Sequence, residues 1–303
     1  MAGLDKNMLN LIECLAKNRI QDAKKAAIVC CKNDTTRKNE RDVAYYLKLM
    51  AKDNKSTIEL PATLQGILKI QDMSAFNTNR YYVGKQQKEL YEKICIGNQV
   101  YAEMMAYGFP YTNSTLIYGE PGTGKTEFAK YVAHQLDLPY VYINFSYLID
   151  SYMGNTSKNL QKTFDHCKGM QCVLTLDEID CIGLKRGNSS AGCDGELART
   201  TISLLQCLDD LADGQIVIAA TNRGDRLDPA LLRRFRHKAK FTRYNMEEEL
   251  DMITKIIDSI DILEMDQNII DYSAENHTQA ETINHLTELI GEKVMERIRN
   301  NEE

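Results

Sequence analysis

From Thr115 onward the chain alternates short apolar runs with longer stretches of helical periodicity. The runs are Thr115–Tyr118, Tyr140–Asn144, Cys172–Leu176, Gln215–Ala220 and, more weakly, Ala239–Thr242. They are continuous rather than alternating, which predicts strands buried on both faces; helices predicted between them at about 125–136, 156–167, 195–212 and 228–235 imply a parallel, doubly wound α/β sheet. A helix carrying Leu90, Ile94, Val100, Met104 and Met105 precedes them, from Gly84 to near Gly108–Pro110. Earlier still, three apolar stripes predict a small helical module packed on itself. They are Leu4, Met8, Leu11, Ile12 and Leu15; then Ile20, Ala23, Ala27 and Cys30; then Val43, Tyr46, Leu47 and Met50, with Thr35 or Thr36 placed to cap the third helix. The polar run Ala51–Thr57 marks a linker, and Pro61 with Gly66 predicts an irregular stretch after it. Beyond Tyr244 the strands stop. Two amphipathic helices are expected there, at about 246–259 and 278–299, the second with Ile283, Leu286, Leu289, Ile290, Val294 and Ile298 on one face. The pattern therefore divides into a helical module at 1–52, a linker at 53–80, an α/β domain at 81–244 and a small helical domain at 245–303.

Composition changes this picture little. With 43% hydrophobic and 26% charged residues over 303 positions, the chain can build one large or two modest cores. A net charge of −6 argues against a general binder of nucleic acid or anionic membrane, which needs a broad excess of Lys and Arg. Nine scattered cysteines without a CxxC pair fit reduced thiols better than disulfides or zinc. There is no signal-peptide pattern and no apolar stretch of membrane-spanning length, so a soluble, cytoplasmic protein is expected.

The chemistry is concentrated at the ends of the predicted strands. Gly119-Glu-Pro-Gly-Thr-Gly-Lys-Thr126 matches GxxxxGK[ST] between a strand and a helix, the setting in which backbone N–H groups can wrap a phosphate. Lys125 would reach the β- and γ-phosphates of a nucleotide and the Thr126 hydroxyl would ligate Mg²⁺. The bland alternative is a Gly-rich turn. Val173-Leu-Thr-Leu-Asp-Glu-Ile-Asp180 ends a strand in carboxylates, placing Asp177 for the Mg²⁺ shell and Glu178 to polarise a water. Alone, such a pair is equally a solvated edge; after a phosphate loop, at the ligand-binding edge of the same sheet, it reads as a site. Asn222 ends the run Ile216–Thr221, either as a turn former or with its amide near the attacking water. Arg233 and Arg234 close Leu227-Asp-Pro-Ala-Leu-Leu-Arg-Arg-Phe235. They could be a solvated face, a basic patch with Arg236, Lys238 and Lys240, or fingers onto a neighbour's nucleotide.

These four motifs, in this order and spacing, resemble the AAA subfamily of AAA+ ATPases, which includes katanin, spastin and the membrane-bound AAA proteases; the likeness runs from about residue 80 to 300. The resemblance implies a P-loop AAA+ fold with a C-terminal helical lid, ATP and Mg²⁺ as ligands, and nucleotide contacts from Pro121 through Glu127, including Gly122, Thr123 and Gly124. It further implies Lys125 and Glu178 as catalytic groups, Asn222 as sensor of the γ-phosphate, and Arg233 with Arg234 as fingers in trans, Arg234 the better placed. Sites shared between subunits imply a ring, usually of six copies. Val83-Gly84 resembles the family's entry turn beside the adenine. His277 and Ala280 lie in a segment similar to its His-x-Gly-Ala contact, although Gln279 stands where a small residue is usual. Tyr152 and Met153, in Ser151-Tyr-Met-Gly-Asn155, resemble a pore loop that grips an extended polypeptide. Together these imply a motor that remodels or threads protein substrates, with a separate protease or adaptor for any proteolysis; the alternative is a nucleotide-dependent switch or loader on a nucleic-acid or regulatory complex.

Overall fold

In the computed structural model the described residues are 5–16, 20–34, 36–52, 60–109, 111–150, 155–168, 170–183, 193–212 and 214–301. The chain divides into two compact units, Met1–Glu59 and Leu60–Glu303.

The first unit holds α1 (Lys6–Ala16), α2 (Ile20–Asn33) and α3 (Glu40–Lys52), with α1 packed on α2 and α2 on α3. Its seam is small. Cys14, Ala23 and Ala26 are buried, whereas Met8, Ile12 and Leu15 of the stripe expected to pack inward are about half exposed, at 46%, 47% and 54%. The approach to α3 is held by Asp34. Its carboxylate accepts from the Thr36 amide at 2.9 Å and from Asn39 Nδ2 at 2.8 Å, which lowers its pKa through the Asn39 and Thr36 hydrogen bonds. Leu4 and Thr35 lie outside the described residues.

The second unit opens with β1 (Leu68–Gln71) and α4 (Lys85–Ala106), then runs β2 (Asn113–Gly119), α5 (Lys125–Gln135), β3 (Tyr140–Ile143), α6 (Phe145–Asp150) and α7 (Thr156–Lys168). It continues through β4 (Val173–Leu176), α8 (Asp180–Gly183), α9 (Cys193–Asp209), β5 (Ile216–Thr221), α10 (Pro229–Leu232) and β6 (His237–Phe241). The sheet order is β1-β3-β4-β5-β2-β6, parallel throughout except for β1, which runs antiparallel to β3. The expected five strands are all present. The irregular stretch expected after Pro61 instead contains β1, a four-residue edge strand whose only apolar face, Leu68 and Ile70, packs inward. The short α6 was likewise not expected.

Continuous apolar runs arise because adjacent side chains enter opposite cores. Leu116, Leu174, Leu176, Val217 and Ala219 join Leu160 and Phe164 of α7 and Leu204 and Leu208 of α9 on one face. On the other, Ile117, Val173, Ile216 and Ile218 join Leu90 and Ile94 of α4 and Phe128 and Val132 of α5. Burying each such side chain contributes about 1.5–3 kcal/mol, so the sheet is the rigid frame of this unit.

After β6 come α11 (Met246–Asp258), α12 (Gln267–Ser273) and α13 (Gln279–Asn301), three helices where two were expected. Asn245 caps α11 by accepting from the Glu248 amide at 2.9 Å, and Asp266 caps α12 by accepting from Ile269 at 2.9 Å. Met252, Ile253, Ile256, Ile257, Ile269 and Leu286 form a third core.

Candidate functional site: a phosphate loop at the strand ends

The C-terminal ends of β2, β4 and β5 lie side by side because β5 sits between the other two. This is the edge of an open parallel sheet at which ligands bind. The loop leaving β2 begins at Gly119, paired in the sheet with Phe241. Its φ is +150°, and a Cβ there would sit 2.0 Å from the Phe241 carbonyl oxygen, so only glycine lets β2 and β6 close at this point. Gly122 and Gly124 have φ of +81° and +78°. Around Gly124 a Cβ would meet nothing within 4 Å, so the backbone is open beside the N-terminus of α5, where helix amides and the helix dipole favour an anion.

Lys125 is buried, and its Nζ donates to the Gly119 carbonyl at 3.0 Å, the Glu120 carbonyl at 2.6 Å and Thr123 Oγ1 at 3.4 Å. Desolvation lowers its pKa, opposed by Asp177, Asp180 and Glu120. An anion received by the loop would offset that desolvation. Thr126 Oγ1 donates to Asp177 Oδ2 at 2.7 Å, which brings a hydroxyl and a carboxylate together across 51 positions of sequence. Two hard oxygen donors beside an anion cradle suit Mg²⁺, so the residues present fit both a nucleotide phosphate and its metal.

Glu178 follows with φ of +52°, a left-handed conformation uncommon for a non-glycine residue and found at functional sites. Two neighbours sustain it. Its own amide donates to Asp177 Oδ1 at 2.9 Å, and the Ile179 amide donates to the Ala220 carbonyl of β5 at 3.1 Å. Thr221 Oγ1 donates to Asp180 Oδ1 at 2.7 Å and accepts from the Arg223 amide at 2.9 Å. Thus β5 fixes the turn that carries Glu178. Asn222, exposed, comes next after Thr221 at that strand end.

The two arginines differ. Arg234 is bound within its own chain: Nε and Nη2 grip both oxygens of Asp209 at 2.9 and 2.8 Å, and Nη1 donates to the Ala230 carbonyl at 2.8 Å. Arg233 is exposed, and its Nε makes a long 3.3 Å bond to the Pro229 carbonyl. The ordering expected from sequence, with Arg234 the better finger, did not anticipate the Asp209 clamp.

On the side of α11–α13, Ala280 donates its amide to the Gly122 carbonyl at 3.0 Å, so the segment expected to meet nucleotide touches the loop directly. Gln279 is buried and its Nε2 donates to the Thr242 carbonyl at 3.0 Å. Thr278 and Glu281 form a capping box for α13, with the Thr278 amide donating to Glu281 Oε2 at 2.7 Å. His277 stacks on Tyr272, and Tyr272 on His285, with ring centroids 3.9 Å apart in each pair. One face of the His277 ring is therefore taken by the α12–α13 packing. Val83 leads into Gly84, which caps α4 beside a cavity of about 250 Å³ that Phe241, Thr242 and Tyr244 also line. Pro121 and Glu127 lie exposed at the loop and in the first turn of α5. Tyr152 and Met153 lie outside the described residues.

Sequence reasoning passed over Glu120, Arg243 and Thr221. Only Thr221 carried a signal, as a polar residue closing an apolar strand. Among the described residues there is no cluster of three metal-ligating side chains and no helix long and apolar enough to cross a membrane.

Comparison with known proteins accords with this geometry. Residues 115–243 match the family model described as "ATPase family associated with various cellular activities (AAA)". The 26S proteasome regulatory subunit 10B homolog A of Arabidopsis thaliana is 34% identical over 176 residues, covering 56% of this chain and 44% of the relative. A probable 26S proteasome regulatory subunit 10B of Caenorhabditis elegans is 38% identical over 143 residues, covering 46% and 35%. The 26S proteasome regulatory subunit 6A of Schizosaccharomyces pombe is 33% identical over 204 residues, covering 64% and 47%. The chain spans less than half the length of these curated relatives. They are proteasomal subunits, not the katanin- and spastin-like branch named from the motifs.

Proposed function

We propose that this chain, whose residues 115–243 match the AAA ATPase family model, is an Mg²⁺-dependent ATPase subunit of a ring that unfolds or threads protein substrates. The observation that carries the reading is the convergence of Lys125, the Thr126–Asp177 pair and the left-handed Glu178 on the open ends of β2 and β4. Bound MgATP supplies the phosphoanhydride whose hydrolysis drives the motor. Lys125 exchanges the carbonyls of Gly119 and Glu120 for phosphate oxygens. Thr126 and Asp177 would hold the metal, and the Glu178 carboxylate orients a water and accepts its proton. Asn222 follows the end of β5, the strand between those that lead to the phosphate loop and to Glu178, and its amide senses the terminal phosphate. Arg233, the exposed guanidinium, reaches a neighbouring subunit's nucleotide, and Arg234 with Asp209 fixes the turn from which it projects. Likeness to proteasomal regulatory subunits supports a protein substrate, a ring with like or related subunits, a proteolytic partner and a cytoplasmic setting. Tyr152 and Met153 are assigned to the substrate-gripping loop, residues 1–52 to recruitment and residues 245–303 to the lid.

The test is Glu178→Gln in the purified chain. It should retain ATP binding while turnover falls by several orders of magnitude. Hydrolysis at the parent rate would overturn the assignment.

A further inference from the structure

We propose that Arg243 is a positioning residue that couples the phosphate loop to the lid, through a bridge from Glu120 to the turn that enters α13. The inference rests on reading Gly119–Thr126 as the nucleotide loop.

Arg243 lies two residues beyond Phe241, which pairs with Gly119, so its backbone is anchored to the first residue of the loop. Its side chain joins two sequence-remote segments. Nε donates to Glu120 Oε2 at 2.9 Å, and Nη1 donates to the carbonyl of Asn276 at 2.7 Å. Glu120 is the residue whose own carbonyl receives Lys125 Nζ at 2.6 Å. Its backbone thus answers to the phosphate-binding lysine and its carboxylate to Arg243. Asn276 has φ of +59°, turning the chain out of α12 so that its carbonyl faces the guanidinium. Four residues on, the Ala280 amide reaches the Gly122 carbonyl, and between them Gln279 holds the Thr242 carbonyl. Residues 242–243 and the loop therefore grip the start of α13 at three points, of which Arg243 is the one that touches both sides. A movement of the loop that displaces Glu120 is passed to the lid, and lid movement returns by the same route.

The bland alternative is an ordinary surface ion pair. The Arg243 and Glu120 side chains are 39% and 62% exposed, and such pairs contribute little to folding. The two readings diverge in nucleotide affinity. The experiment uses the full chain with Arg243→Met, Glu120→Gln and both together, titrated with a fluorescent N-methylanthraniloyl-ADP, with amide exchange followed across residues 276–282. We expect each single variant to raise Kd about threefold, the range of one exposed charged contact. The double variant should be no worse than either single, since both break one bridge, and amide exchange at the start of α13 should quicken in both singles while the urea midpoint stays at the parent value. Arg243→Lys keeps a charge for Glu120 but lacks the fork, and should fall between parent and Arg243→Met. Unchanged affinity and exchange in the singles, or effects that multiply in the double, would overturn the coupling. A parent chain that binds no ADP would overturn the nucleotide reading instead, and the exchange data would still decide whether the bridge holds α13.

Discussion

Gly119 and Gly124 stand in one loop with positive φ, yet the structure assigns alanine at the two positions very different costs. At Gly124 a Cβ meets nothing within 4 Å, so Gly124→Ala is charged only for its φ of +78°, about 1–2 kcal/mol. At Gly119 the same methyl would lie 2.0 Å from the Phe241 carbonyl oxygen and 3.1 Å from its carbon. Relief means drawing β6 away from β2 at the Gly119–Phe241 pair, and Phe241 is a buried core side chain, 2% exposed. Conformational strain, a loosened rung of the ladder and a displaced aromatic ring together come to about 4 kcal/mol. For a unit of this size each kcal/mol lowers Tm by roughly 2–4 °C. Thermal unfolding followed by circular dichroism should therefore show Gly124→Ala about 3–6 °C below the parent and Gly119→Ala about 10 °C or more below it. Equal losses would mean that the carbonyl contact is not what demands glycine at 119. A Gly119→Ala protein of parental stability would refute the β2–β6 closure itself.

The remaining predictions concern residues that act through partners. Arg234→Ala and Asp209→Asn should each lower the urea midpoint by about 0.5–1 kcal/mol equivalent, since the pair is partly exposed. Arg233→Ala should leave the midpoint unchanged while ATP hydrolysis by the assembled protein falls about a thousandfold; the reverse pattern would return the finger to Arg234. Thr221→Val removes the donor that holds Asp180, so kcat should drop about tenfold with KM for ATP unchanged, and a rise in KM alone would sink the view that β5 positions Glu178. Buried Glu249 has its pKa raised by desolvation, against the Thr282 hydroxyl bond and the charge of His277, and its Oε2 has no hydrogen-bond partner. A raised folded value favours the protonated form, so this stability is fully present below the unfolded carboxyl pKa of about 4.3 and is lost as pH rises through the folded value. Urea midpoints of the parent should thus fall relative to Glu249→Gln as pH is raised from about 4 to 7; a constant difference would show that Glu249 does not titrate in that window.

What could be read from sequence follows a physical division. The phosphate loop, Asp177 and Glu178 were legible because their chemistry needs particular residues at short, fixed spacing, and the five parallel strands because burial on both faces removes polar alternation. The edge strand β1 was not. It is four residues long, exposes Lys69 and Gln71, and follows a proline and a glycine that read as loop. The α12 helix was hidden because its seven residues give barely two turns of periodicity. Arg243 and Arg234 were illegible in another sense, because a cation's partner is chosen by the fold: Glu120 is 123 positions from Arg243, and Asp209 is 25 from Arg234. A motif can name both arginines of Leu-Leu-Arg-Arg-Phe but cannot say which one the chain has already engaged.

The same division governs the site itself. Asp177 and Glu178 are adjacent in sequence, yet they are held from opposite sides. Thr126 reaches Asp177 from the phosphate loop, while the Ile179–Ala220 and Thr221–Asp180 bonds fix the following turn from β5. The left-handed backbone at Glu178 is the hinge between these two sets of restraints. It costs of order 1 kcal/mol or more and persists because both sides over-determine it. A shift of the loop relative to β5 would therefore fall on Glu178, where the two carboxylates proposed to hold the metal and to orient the water are separated by a single peptide. Strand order, through the placement of β5 between β2 and β4, is what brings these two sets of restraints to bear on one peptide.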